Sequence, residues 1–117
     1  MNDTNTIKIA GADVETLQKL YIFKEPAEII EFLEKNPFLI PLILEAHPHI
    51  RKHFPESRLY LNIVLDPEIN NDQLAILITR PDNLNAEERI DTLERIDDDW
   101  WLDAEKLAQE KMFIGYE

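Results

Sequence analysis

Apolar residues recur at helical spacing through the first half of the chain and gather into short aliphatic runs in the second. Val14, Leu17 and Tyr21 share one helical face, which predicts a first helix from about 14 to 22 with Asp13 as its N-cap. Ile29, Ile30 and Leu33 repeat that spacing between Pro26, suited to a first helical turn, and the stop made by Asn36 and Pro37. A second helix over 26–35 follows. The stretch before these, residues 1–12, reads as a flexible segment in which Ile7 to Ala10 form at most a short edge strand.

Leu39, Ile43, Ala46, Ile50 and Phe54 make a third stripe, and Ile40, Leu42 and Leu44 render its first half apolar almost all round. Such a helix has to be covered on several sides, which makes it the central helix of the core or, alternatively, part of an exposed groove for a partner. Pro41 falls in its first turn. Pro48 falls in its interior, where it removes the hydrogen bond to the Leu44 carbonyl and predicts a kink.

The runs 58–65 and 74–79 are short and rich in aliphatic residues, as strands are. Between them Pro67 and the Asn70-Asn71 pair mark a polar turn, so the two are expected to form an antiparallel hairpin. Asn85 with Glu88 three residues on is a capping-box pattern, and Ile90, Leu93, Ile96 and Trp100 continue it as a helix of about 86–99. Asp103 is expected to cap a further short turn, and 112–116 to form a last strand beside the first strand of the hairpin. The fold expected is therefore α+β, with order ααα-ββ-α-β: a mostly antiparallel three-stranded sheet covered by N-terminal helices and one crossover helix. Residues 13–117 form its single domain.

Composition narrows the functional classes. The chain has 117 residues, no cysteine and two glycines, Gly11 and Gly115. Disulfide, thiolate and cysteine-zinc chemistry are excluded, as are glycine-rich phosphate loops. The net charge of −12 opposes direct binding to nucleic acid or to an anionic membrane surface and favours encounter with a basic partner. Residues 1–24 lack the pattern of a secretory signal, and the longest apolar run is broken by Pro41 far short of the roughly 20 residues that span a bilayer. A cytoplasmic protein without a cofactor is the expectation.

Three groups of residues bear chemistry. His47, His49 and His53 are clustered, and Glu45, His49 and His53 stand at helical i, i+4 and i+8, a weak metal-ligand pattern that lacks the zinc-protease glutamate. With Arg51, Lys52 and Arg58 they form the one dense basic segment, suited to an anionic ligand or to the acidic end of a second copy, or simply complementing the helix C-terminus. An enzyme or ligand site combining these histidines with the loop acids Asp66 and Glu68 is the alternative reading. Ser57, the sole serine, has no base marked out for it beyond its sequence neighbour His53. Neither Asp66, Glu68, Asn70 and Asp72 nor the acids from Asp97 complete a calcium loop, for want of the turn glycine and the bidentate glutamate.

The opposite pole is Asp97, Asp98, Asp99 and Asp103 around Trp100 and Trp101. Adjacent helical residues point about 100° apart, so one indole is expected in the core and the other at a rim beside carboxylates. That rim is the preferred surface for a basic protein partner. A small acidic interaction or regulatory module, antitoxin-like in its charge and size, is the leading reading, with a salt-sensitive homo-oligomer as a further possibility and an enzyme the less favoured one.

The segment from Phe32-Leu33-Glu34-Lys35-Asn36-Pro37-Phe38-Leu39 through Ile40-Pro41-Leu42-Ile43-Leu44-Glu45-Ala46 resembles a family of short bacterial proteins, mainly cyanobacterial, with no established activity. Ile50-Arg51-Lys52, Asp66-Pro67-Glu68 and Trp100-Trp101-Leu102-Asp103 extend the resemblance over about 25–117. It implies a bacterial cytoplasmic setting and a single domain, and no catalytic residue.

Overall fold

The computed structural model describes residues 11–65 and 72–117 and builds them into a four-stranded mixed sheet with helices packed on one of its faces. Helix α1 spans Gly11–Leu20, so Asp13 lies within its first turn rather than capping it. Leu17 and Tyr21 are buried as the spacing predicts, and the Tyr21 hydroxyl donates to the Ile43 carbonyl at 2.8 Å. Ile22 leaves the helix: Ile22–Phe23 form β1, a two-residue strand. The possible strand at Ile7 to Ala10 and the hairpin-loop acids Asp66 and Glu68 lie outside the described residues.

Helix α2 (Pro26–Lys35) and helix α3 (Leu39–His53) occupy the predicted stretches. Asn36 ends α2 by donating its backbone N–H to the Phe32 and Leu33 carbonyls and its side-chain amide to Phe32 at 3.0 Å. All five residues of the α3 stripe are buried, together with Ile40 and Leu42, and the helix contacts α1 and the later helices. Helical bonding continues past Pro48, so the proline does not split the element. Pro48 is tolerated on the exposed side, where water can solvate the carbonyl it leaves unpaired.

Strands β2 (Leu59–Val64) and β3 (Gln73–Ile78) form the expected antiparallel hairpin, with Leu59 opposite Ile78 and Leu61 opposite Ile76. The rest of the sheet departs from expectation. Strand β1 pairs parallel with β2, and β4 (Met112–Tyr116) pairs parallel with β3 rather than beside β2. Two of the three pairings are therefore parallel, and the sheet is mixed, not mostly antiparallel. The reason is topological: each parallel pair is joined through helices, which return the chain to the same end of the sheet before the next strand starts.

The late helical region also differs. Helix α4 (Ala86–Ile96) starts at the predicted capping box: the Asn85 side chain accepts from the Glu88 N–H at 2.8 Å, and the Glu88 carboxylate accepts from the Asn85 N–H at 3.0 Å. It then runs through a π-helical turn at Asp97–Trp101 directly into α5 (Leu102–Ala108), so Asp103 is inside a helix and caps nothing. The Leu102 N–H bonds to the Asp97 carbonyl, five residues back. That slip moves the buried stripe after Ile96 from position 100 to Trp101, Ala104 and Ala108; within α4 itself Thr92 and Ile96 face inward and Ile90 is 58% exposed. Gln109 and Glu110 then take left-handed backbone conformations that turn the chain into β4. No helix among the described residues is long and apolar enough to cross a membrane.

Candidate functional site

The basic and acidic poles of the sequence meet inside one molecule. The C-terminal half of α3 lies against the π turn, and their side chains pair across the junction. His53 Nε2 stands 2.9 Å from Asp99 Oδ2, with Lys52 Nζ 3.8 Å from the same oxygen. His49 stacks on Trp100, ring centroids 5.1 Å apart and planes within 9°. Trp100 in turn rests at 5.6 Å from Trp101, which is 5% exposed and belongs to the core. Trp101 is thus the indole inside the core, and Trp100 is partly buried, packed between His49 and Trp101. The π turn decides which: without the extra residue in that turn, the position following Ile96 on the stripe would be 100 rather than 101.

Each member of the basic segment except Arg58 has a place. His47 packs edge-on to Tyr21 at 5.7 Å. Arg51 donates from one nitrogen to the Phe54 carbonyl at 3.0 Å and the Ser57 carbonyl at 2.5 Å, closing the end of α3 over the loop that follows. Glu45 is exposed and His49 and His53 are engaged with Trp100 and Asp99, so the Glu45, His49, His53 triplet does not converge. Among the described residues no three His, Asp or Glu side chains cluster as a metal site would require.

The acids divide into two groups. Asp99 points at α3, and its hydrogen bond with His53, aided by the charge of Lys52, holds its carboxyl below the ordinary aspartate value. Asp97 behaves oppositely: partial burial and the neighbouring carboxylates Glu105, Asp98 and Glu94 raise it. No Lys, Arg or His among the described residues lies within ion-pair distance of those four acids or of Asp103. Leu102, next in sequence to the buried Trp101 but turned away from the core, is 54% exposed.

These environments set a pH dependence. Burial and the charge of Arg51 lower the His47 value below 6.5, so the folded state resists its protonation. Stability from this group is complete above pH 6.5 and is lost as the pH falls below it. The lowered Asp99 value adds stability that is present above about pH 3.8 and lost only under more acidic conditions, while Asp97 contributes in the opposite direction. Melting temperature should therefore fall between pH 7 and pH 5, and fall less in His47→Gln. An equal fall in both proteins would remove His47 as the cause.

The feature that sequence reasoning missed is a cleft beside the His53–Asp99 pair, bounded by the loop after α3, the chain after β3 and the inner side of α4. Its lining comes from four separated segments, the last of them Glu117, which no local spacing announces. The chain matches no family model, no curated protein and no solved structure.

Proposed function

We propose that this chain is a small acidic interaction module that takes a basic protein partner on the outer face of α4, the π turn and α5. The observation that supports this is the group Glu94, Asp97, Asp98 and Glu105, crowded enough to raise Asp97 and set around the exposed Leu102. Residues four apart on a regular helix are neighbours, so Ile90 and Glu94 share one side of α4, and the exposed Asp98, Leu102 and Asp103 continue the solvent-facing surface through and beyond the π turn as further acidic and apolar contacts. Acidic charge speeds encounter with a cationic surface, and the apolar residues supply area once the partner is seated.

Within the originally expected partner surface, Asp98 and Asp103 face solvent and are the contact residues in this reading. Trp101 supports the surface from the core, and Asp99 and Trp100 are occupied by α3. A regulatory role of the antitoxin type, neutralising a basic protein, is one form of this function.

Affinity purification from the native cell tests it, with an Asp98→Lys/Leu102→Ala double variant as control. A basic protein should be retained by the natural chain, released by salt, and bound at least about tenfold more weakly by the control, a loss near 1.4 kcal/mol. Equal retention by the control, or recovery of acidic proteins alone, would refute the assignment. Both substituted positions are exposed, so the control keeps its fold.

A further inference from the structure

The cleft beside α3 has a character opposite to that of the protein as a whole. It encloses about 940 Å³, within the range of small-molecule sites. It opens beyond the carboxyl ends of the parallel strands β3 and β4, where crevices in sheets with helical crossovers commonly hold ligands. Four of the chain's twelve Lys and Arg residues line it: Lys52, Arg58, Arg80 and Arg95.

The pairing of these cations is uneven. Lys52 is near Asp99, and Arg80 Nε donates to the Glu117 carbonyl at 3.2 Å. Arg58 and Arg95 have no carboxylate within 4.0 Å among the described residues. Three carboxylates share the lining: Glu117 pairs with Lys24, and Glu56 and Asp82 are exposed, with no cation within 4.0 Å of them among the described residues. Two guanidinium groups from different elements thus border one cleft without an ion pair among the described residues.

A second observation points to a ligand. Thr79 lines the same cleft, and its Oγ1 is a buried side-chain oxygen with no hydrogen-bond partner. A buried hydroxyl without a partner is a cost to the fold that a valine of the same shape would avoid. The sheet holds this residue next to Arg58, since the Thr79 N–H donates to the Arg58 carbonyl at 3.0 Å.

We propose that the cleft binds a small molecule carrying a phosphate group, with Arg58 and Arg95 neutralising the phosphate and the Thr79 side chain rotating to bring its buried hydroxyl into the cleft, where it donates to one of the phosphate oxygens. Arginine forks match phosphate geometry, and a tetrahedral dianion has oxygens enough for two forks and a hydroxyl, whereas one fork already satisfies a carboxylate. Tyr60, Pro81 and Leu84 give the rest of the molecule apolar contact. The site is separate from the acidic face of α4 and α5 and does not depend on it.

Amide chemical shifts during titration with inorganic phosphate, phenyl phosphate and acetate test the proposal. Phosphate should produce saturable shifts at Ser57, Arg58, Thr79 and Arg95 with half-saturation near or below about 1 mM, and phenyl phosphate should bind more tightly and add Tyr60 and Leu84. Acetate should bind at least tenfold more weakly. Arg58→Gln/Arg95→Gln, both at exposed positions, should weaken phosphate at least tenfold. Thr79→Val should also weaken it, while raising the melting temperature of the ligand-free protein. Shifts that do not saturate, shifts confined to other residues, acetate binding equal to phosphate, or undiminished affinity in the double arginine variant would each overturn the site.

Discussion

Trp101→Ala is expected to lower the free energy of unfolding by about 3–5 kcal/mol, the range for removing a large aromatic side chain from a packed core. Trp101 is 5% exposed and buried in the same cluster as Ile96, Ala104 and Ala108. A domain of this size has a total stability of the order of 5–15 kcal/mol, so the variant would retain little margin. Trp100→Ala should cost much less, because that ring is half-buried and its main contact is the His49 stack. Denaturant titration of both variants checks the difference. Equal losses, or a larger loss for Trp100, would mean that the helix does not slip by one residue at Asp97–Trp101. The same result bears on function: a partner lost with Trp101→Ala would reflect unfolding, which is why the exposed Asp98 and Leu102 carry the binding test.

Pro48→Ala should act in the other direction and stabilise the protein by roughly 1–3 kcal/mol. Proline in a helix interior is about 3 kcal/mol less favourable than alanine, through the missing N–H and the clash with the carbonyl four residues back. In α3 that carbonyl belongs to Leu44, and position 48 is exposed, so the new methyl group meets no packed neighbour. Restoring one helical bond should raise the denaturation midpoint without altering its slope. A lower midpoint instead would show that the path Pro48 imposes on α3 is needed to bring His49 and His53 to Trp100 and Asp99.

Much of the fold was legible because the signals were local and mutually consistent. The limits of α2 follow from Pro26 and Asn36, the α3 stripe is continuous, and the Asn85–Glu88 box places the start of α4. What escaped was of another kind. A two-residue strand such as β1 shows no periodicity, and strand order depends on how helices return the chain, which hydrophobic spacing does not encode. The stripe failed at Trp100 because a constant period of 3.6 cannot register the added residue of a π turn, and it failed at Ile90 because α4 turns Thr92 inward, a polar residue whose hydroxyl donates to the Glu88 carbonyl at 2.8 Å and which hydrophobic spacing does not count.

The candidate surfaces divided in the same way. That the histidine-rich and aspartate-rich segments are complementary could be read from charge. That they complement each other within one chain could not, since Lys52 and Asp99 are separated by 47 positions and joined only by tertiary packing. That Arg58 and Arg95, 37 positions apart in sequence, line one cleft became visible only through tertiary packing.

The two parallel pairings of the sheet share one further property. Ile22 lies against Tyr60 and Leu74 against Met112, an offset of 38 residues in both, whereas the central hairpin brings together residues as close as Val64 and Gln73. Because the entropy lost on closing a loop grows with the logarithm of its length, each edge strand closes at a cost roughly 1 kcal/mol above that of the hairpin's inner end. The middle of the sheet is thus the inexpensive step in assembling this chain, and both edges depend on helices that have already found their places.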